Sequence, residues 1–336
     1  MRMENKATVN KKENRAQSLI AAFGTWRELG IIIVTIILMI AISLRSEYFL
    51  NIENFEDILL AISLTIIVAC GQMMVIIIRG IDLSVSSIIG LVAMLVGLFI
   101  RDKFEFPMGV TLLMGIGLGI LLGSFNGILT AFADLPPLIA TLATMSIYRG
   151  LVVVFSNGEW VNTYRIADTF LELTRMKILG VRALIWYAAI VAVGVALLLK
   201  YTRLGRQIYA LGSNPSAADV AGIPKKKVTF LVYLMSGTLA GFAAVLWASR
   251  YGSVTNETGV GFELQTVAAC VVGGVSVLGG SGSVFGVVLG SWLLGIIGNA
   301  LTISNINPFW RLTINGVLIL FAVIMDTLIY RRLGKE

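Results

Sequence analysis

The sequence has no histidine, only two cysteines in 336 residues, six prolines and a charged fraction of 13%. Without an imidazole there is no serine–histidine nucleophile, no histidine-ligated metal and no side chain titrating near neutral pH unless perturbed. Cys70 and Cys270 each sit inside an apolar run, which suits small core residues and not a disulfide framework or thiolate metal site. A soluble domain is about 25% charged, so the charges here do not cover a water-soluble fold of this length. No lysine precedes a serine or threonine, which excludes a GxxxxGK[ST] phosphate-binding loop. No carboxylate pair or His/Cys cluster stands at catalytic spacing, so the reading is of a chain that is not an enzyme, with no catalytic residue, metal or cofactor.

What fills the sequence is apolar: 57% of residues are hydrophobic and 35 are glycine. A bilayer core takes about 20 mostly apolar residues as helix, because no backbone group can stay unpaired in lipid. Ten segments fit, at 29–44, 57–78, 83–100, 108–133, 136–155, 181–199, 228–249, 262–279, 283–303 and 310–330. The expected fold class is therefore all-α, a polytopic integral membrane protein of about ten transmembrane helices. All six prolines fall at span ends or in connections, where a missing N–H costs least. The 262–279 span is short and carries Gly273, Gly274, Gly279 and Gly280, so a broken or re-entrant segment is the alternative to a continuous one.

Lys and Arg concentrate in cytoplasmic connections. With both termini cytoplasmic, 16 of the 26 cations fall inside and 11 of the 19 carboxylates outside, which favours that orientation. The net charge of +7 is scattered among span ends; it reads as topology and attraction to a lipid bilayer, with no nucleic-acid footprint. The domain reading is a disordered cytoplasmic tail at 1–28, without a signal-peptide cleavage site, then a transmembrane domain at 29–336 with a cytoplasmic loop at 200–227.

Gly115, Gly119, Gly123 and Gly127 recur every four residues, as do Gly237 with Gly241 and Gly286 with Gly290; such bare helix faces imply close backbone packing. Residues 64–92 and 264–292 form a possible internal repeat, with six identities in 29 positions, about twice what so biased a composition gives by chance and too few to build on. Polar groups within apolar runs are costly unless they face protein or water. Arg149, Arg311 and Asp326 read as snorkelling side chains. Arg79 and Asp82 read as a local ion pair capping a tight structural turn. Gln72 and Asn126 are the candidates for a translocation path, because an uncharged amide holds a neutral solute without trapping it.

The 200–227 loop carries one complete helix signal. Asn214 suits the N-cap, Pro215 the first helical position, Gly222 the left-handed C-cap, and Pro224 blocks extension. So short a helix does not hold alone. Its small face of Ala217, Ala218 and Ala221 packs either on this chain's own spans or on a partner.

These stretches resemble the sugar-import permeases of bacterial ABC transporters, in the ribose, xylose, rhamnose and autoinducer-2 branch. The resemblance rests on Gly80-Ile81-Asp82-Leu83-Ser84-Val85, Asn126-Gly127, Pro136 to Leu142, Tyr148-Arg149-Gly150, and Ala268 to Ser276 followed by Gly279 to Gly282. Ser86-Ser87 departs from the Gly-Ser of many members. Gly71-Gln72-Met73, Glu159 to Asn162 and Asn307 to Trp310 look most like the rhamnose-type permeases, with the autoinducer-2 branch as the alternative. The resemblance implies a permease subunit in the bacterial inner membrane that imports a small sugar-like solute. It further implies a separate cytoplasmic ABC ATPase, an extracytoplasmic solute-binding protein and a second permease chain. The segment with Gly205, Arg206, Gly212, Asn214, Ala217, Ala218 and Gly222 looks like the family's ATPase-coupling segment. The rival of another class is an ion-coupled secondary carrier that needs no partner.

Overall fold

The structure, a computed structural model, describes residues 29–101, 107–162, 166–307 and 309–332, without the side chains of 326 and 328–332. The expected tail at 1–28 and the side chain of Asp326 lie outside the described residues. The apolar helices in chain order are α1 (Leu29–Ser43), α2 (Ile52–Ile77), α3 (Val85–Phe99), α4 (Met108–Ala131), α5 (Pro137–Ser156), α7 (Ala183–Tyr201), α10 (Lys225–Tyr251), α11 (Phe262–Val272), α12 (Val284–Ile303) and α13 (Trp310–Arg332). Each falls on one of the ten apolar segments, α11 on only the first part of 262–279. Six of them, α2, α4, α5, α7, α10 and α12, are long and apolar enough to cross a membrane. Between them lie a short helix α6 (Asp168–Arg175), a hairpin of β1 (Lys177–Ile178) with β2 (Val181–Arg182), and two polar-ended helices, α8 (Arg203–Ser213) and α9 (Pro215–Val220).

The ends of the helices follow from their cap residues. Asn51 accepts from the Glu53 N–H, Thr202 from Gly205 and Ser283 from Gly286, each satisfying a donor that the first turn leaves open. Pro137 opens α5, and Asn157 closes it in the left-handed region.

The expectation of a span over 262–279 is corrected. Helix α11 stops at Val272 after 11 residues, about 16 Å at 1.5 Å per residue, roughly half the thickness of a bilayer core. Residues 273–283 are irregular, with Gly274 at φ 91°, a conformation that only glycine adopts at little cost. The weak sequence repeat has a spatial counterpart. Gln265 donates to Thr65 Oγ1 at 2.8 Å, Cys270 Sγ to the Ala69 carbonyl at 3.3 Å, and the Gly280 N–H to the Ile77 carbonyl at 2.9 Å. The two segments therefore run side by side in the same direction.

Helix α2 is the centre of the molecule: 94% of its most apolar window is buried, against 28% in α4, α5 and α7. Cys70 and Cys270 are free and fully buried within this core. The peripheral helices expose large apolar side chains such as Leu113, Leu121 and Ile190, as surfaces facing lipid or another membrane subunit do.

The glycine rows bring α4 and α10 into backbone contact. A Cβ on Gly119 would stand 2.9 Å from the Gly241 Cα, and one on Gly123 2.8 Å from the Gly237 Cα. No side chain fits there without separating the helices. A Gly119→Leu chain is expected to lose at least 1–3 kcal/mol, roughly, through overpacking, and with it most of the folded monodisperse protein in detergent. Gly117→Leu, where nothing lies within 4 Å, is expected to elute and melt like the unsubstituted chain; fluorescence-detected gel filtration and thermal melting read both.

Candidate functional site

Two sites meet at the turn between α2 and α3, residues 78–84. One faces into the bundle. Asp82 is fully buried, and its carboxylate accepts from the Ser84 N–H at 3.0 Å, the Ser84 hydroxyl at 2.6 Å and the Ser236 hydroxyl of α10 at 3.2 Å. Ser84 in turn accepts from Asn126 Nδ2 of α4 at 2.6 Å. The Gln72 amide of α2, oriented with both atoms paired, donates to the Asp82 carbonyl at 3.0 Å and accepts from its N–H at 3.2 Å. Four elements are thus tied around one carboxylate. Asn126 Oδ1 and the Tyr233 hydroxyl are also buried, without a hydrogen-bond partner among the described residues.

This geometry corrects the expected Arg79–Asp82 ion pair. The turn sends the two side chains in opposite directions. Burial would cost an ionised carboxylate heavily unless it is paired and hydrogen-bonded, and Asp82 takes its donors from the bundle. Arg79, held at φ 68°, instead reaches α8: Nε donates to the Gly212 carbonyl at 2.7 Å and Nη2 to the Ser213 carbonyl at 2.8 Å. Both candidates for the translocation path, Gln72 and Asn126, belong to the Asp82 cluster and are 0% exposed; in this conformation neither meets solvent. Ser84, Ser236 and Tyr233 were missed by sequence reading. Their only signal is a small polar group or hydroxyl within an apolar run.

The second site is the α8–α9 elbow. Asn214 closes α8 and opens α9, its side chain accepting from the Ala217 N–H at 3.0 Å. Gly222 follows α9 at φ 75° with nothing near its would-be Cβ, as expected of the left-handed end. The glycines of α8 serve packing: a Cβ on Gly205 would run into the Leu198 and Leu199 carbonyls, and one on Gly212 into Ile77 and Gly280. Tyr209 donates its hydroxyl to the Gly282 carbonyl at 2.8 Å; burial raises this phenol above its ordinary pKa, so it stays a donor.

The small face splits on folding. Ala218 turns inward and is 3% exposed, whereas Ala217 and Ala221 are exposed and Val220 is 91% exposed. The inward turn follows from the helix itself, whose one buried stripe must rest on α8 and α10 to hold six residues in place. Around the elbow Arg203, Arg206, Lys225, Lys226 and Lys227 are exposed.

At the opposite end of the bundle a polar cavity of about 140 Å³ lies among Asp57, Thr174, Arg175, Arg182 and Arg250. Arg182 pairs with Glu56 at 2.7 Å, and Arg250 donates to the Leu60 carbonyl. Arg149 is half-buried and holds the Thr258 carbonyl at 2.8 Å, a bond to its own chain in place of the expected snorkelling.

The chain matches, over residues 54–323, the family described as branched-chain amino acid transport system / permease component. It is 32% identical over 300 residues to the autoinducer 2 import system permease protein LsrC of Escherichia coli (strain K12 / DH10B), covering 89% of this chain and 86% of that protein. The protein of the same name from Salmonella paratyphi B is 34% identical over 284 residues, covering 84% of this chain and 81% of its own. No solved structure matches.

The Asp82 cluster generates a graded expectation. Ser84→Ala strands the Asn126 amide and takes the shortest donor from the carboxylate, which keeps the residue 84 N–H and Ser236, costing about 1–3 kcal/mol, whereas Ser236→Ala removes a single longer bond. Thermal melting in detergent is expected to rank Ser84→Ala below Ser236→Ala, and both below the unsubstituted chain; equal melting of all three would remove the cluster from the stability of the bundle.

Proposed function

The chain belongs to the family of branched-chain amino acid transport system permease components, and we propose that it is the membrane subunit of an ATP-driven importer of a small sugar-like solute. The observation carrying this reading is the α9 knob: an apolar side chain, Val220, 91% exposed on a rigidly capped elbow outside the spans. A free apolar tip on a pinned helix suits a groove in a second protein. In this reading residues 29–336 are one permease domain, the 200–227 loop is cytoplasmic, and Arg206, Asn214, Ala217 and Gly222 belong to the face that meets a separate ABC ATPase. Gly205, Gly212 and Ala218 shape that face from behind.

The remaining partners are an extracytoplasmic solute-binding protein and a second permease chain, identical or a paralogue, in a bacterial cytoplasmic membrane. For the cargo, the autoinducer-2 reading is preferred to the rhamnose reading, since the relatives compared are autoinducer-2 import permeases. The basic rim of the elbow would meet an acidic surface, and it also favours the cytoplasmic side.

Val220→Asp is expected to abolish retention of the ATPase on affinity-purified permease and to cut uptake at least tenfold, with normal membrane levels. Ala218→Arg, in contrast, should lower the amount of folded permease, since its side chain has no room inward. Cells carrying the complete system are expected to deplete autoinducer-2 from the medium faster than L-rhamnose at equal concentration. Solute accumulation by the permease alone in liposomes, driven by an ion gradient without ATP, would refute the proposal.

A further inference from the structure

We propose that Arg79 is the positioning residue through which movement of the α8–α9 elbow enters the spans. The proposal rests on reading α9 as the ATPase contact and adds the route by which that contact acts. Three backbones converge at the elbow without room to slide. The Gly280 N–H donates to the Ile77 carbonyl at 2.9 Å, and a Cβ on Gly212 would stand 2.7 Å from the Gly280 N. Across this junction Arg79 closes a two-pronged grip on consecutive carbonyls, Gly212 and Ser213, the last of α8 before Asn214 starts α9. Carbonyls at a helix end lack intrahelical partners and carry the negative end of the helix dipole, so a guanidinium fork binds them by both charge and shape. A lysine offers charge without the fork.

A separate observation comes from the backbone. Arg79 holds φ at 68°, where a long side chain is disfavoured and glycine or asparagine is at home. Strain of this kind persists where surrounding contacts over-determine it. Here the end of α2 holds the backbone, the Arg79 N–H donating to the Ile76 carbonyl at 2.8 Å and the Gly80 N–H to the Val75 carbonyl at 2.9 Å, and those two carbonyls of α8 hold the side chain. Three residues further on, Asp82 is bound to Ser236 of α10 and, through Ser84, to Asn126 of α4. One turn therefore holds the elbow on one side and three spans on the other: α2, which it ends, together with α4 and α10. A displacement of α9 is delivered to the Asp82 cluster by the rigid path from Ser213 through Arg79.

The test uses the complete importer, with its ATPase, binding protein and second permease chain. Arg79→Asn relieves the backbone strain and removes the fork; Arg79→Lys keeps the charge. Measured for each are membrane level, ATPase retention, stimulation of ATP hydrolysis by loaded binding protein, and uptake of autoinducer-2 or L-rhamnose, whichever the unsubstituted complex transports. Arg79→Asn is expected to retain the ATPase, lose at least tenfold in uptake, and lose the stimulation of hydrolysis, with Arg79→Lys between it and the unsubstituted complex. Uptake by Arg79→Asn within twofold of the unsubstituted complex overturns the proposal. So does loss of ATPase retention, which makes Arg79 a shaper of the docking face only, and so does absence of both variants from the membrane, which makes the fork a folding element. Failure of the underlying reading looks different: Val220→Asp then keeps both ATPase and uptake, whatever Arg79 does.

Discussion

The molecule depends on how the turn from Ile78 to Ser84 resolves two opposite charges. Three residues apart, Arg79 and Asp82 have the spacing of an ion pair, yet each finds a better set of partners away from the other. Asp82 enters a dry interior, where its carboxylate is tolerable only with donors on it, and Ser84 and Ser236 supply them. Arg79 faces the end of α8, whose carbonyls have no donor of their own. Each charge thus binds a different layer of the protein. The turn becomes a joint between the core and the elbow because the local pair does not form.

Around that joint the architecture alternates between tight and loose contact. Helices α4 and α10 touch through glycine backbones, which in lipid is a main source of helix association, since apolar burial gains little when the solvent is itself apolar. The α11 segment is different: a half-length helix followed by irregular glycine-rich chain that lies against the end of α2 and against Gly212. The glycine pair, through α10, and the broken segment both pack on α2, the most buried helix.

Much of this was legible without coordinates. Nine of the ten apolar segments are helical over most of their length, because the need to pair every backbone group in lipid leaves few alternatives. The α9 knob was legible from Asn214, Pro215, Gly222 and Pro224, whose cap preferences act over a few residues. The partner of Arg79 was not, since Gly212 and Ser213 lie more than 130 positions away and a carbonyl leaves no mark in sequence. Nor was the inward face of Ala218: Ala217, Ala218 and Ala221 are chemically alike, and only the seat on α8 and α10 separates them. The break in α11 was visible as an alternative, and the dihedral of Gly274 decided it.

The sequence by itself determined the solvent this chain lives in, the segments that become helices, and the caps that stop them, because hydropathy and capping are properties of neighbouring residues. Tertiary structure alone decided which charges meet, which polar groups are gathered around Asp82, and which face of α9 is left bare. Those outcomes turn on desolvation and on close approach of distant backbones, and both depend on how the helices pack.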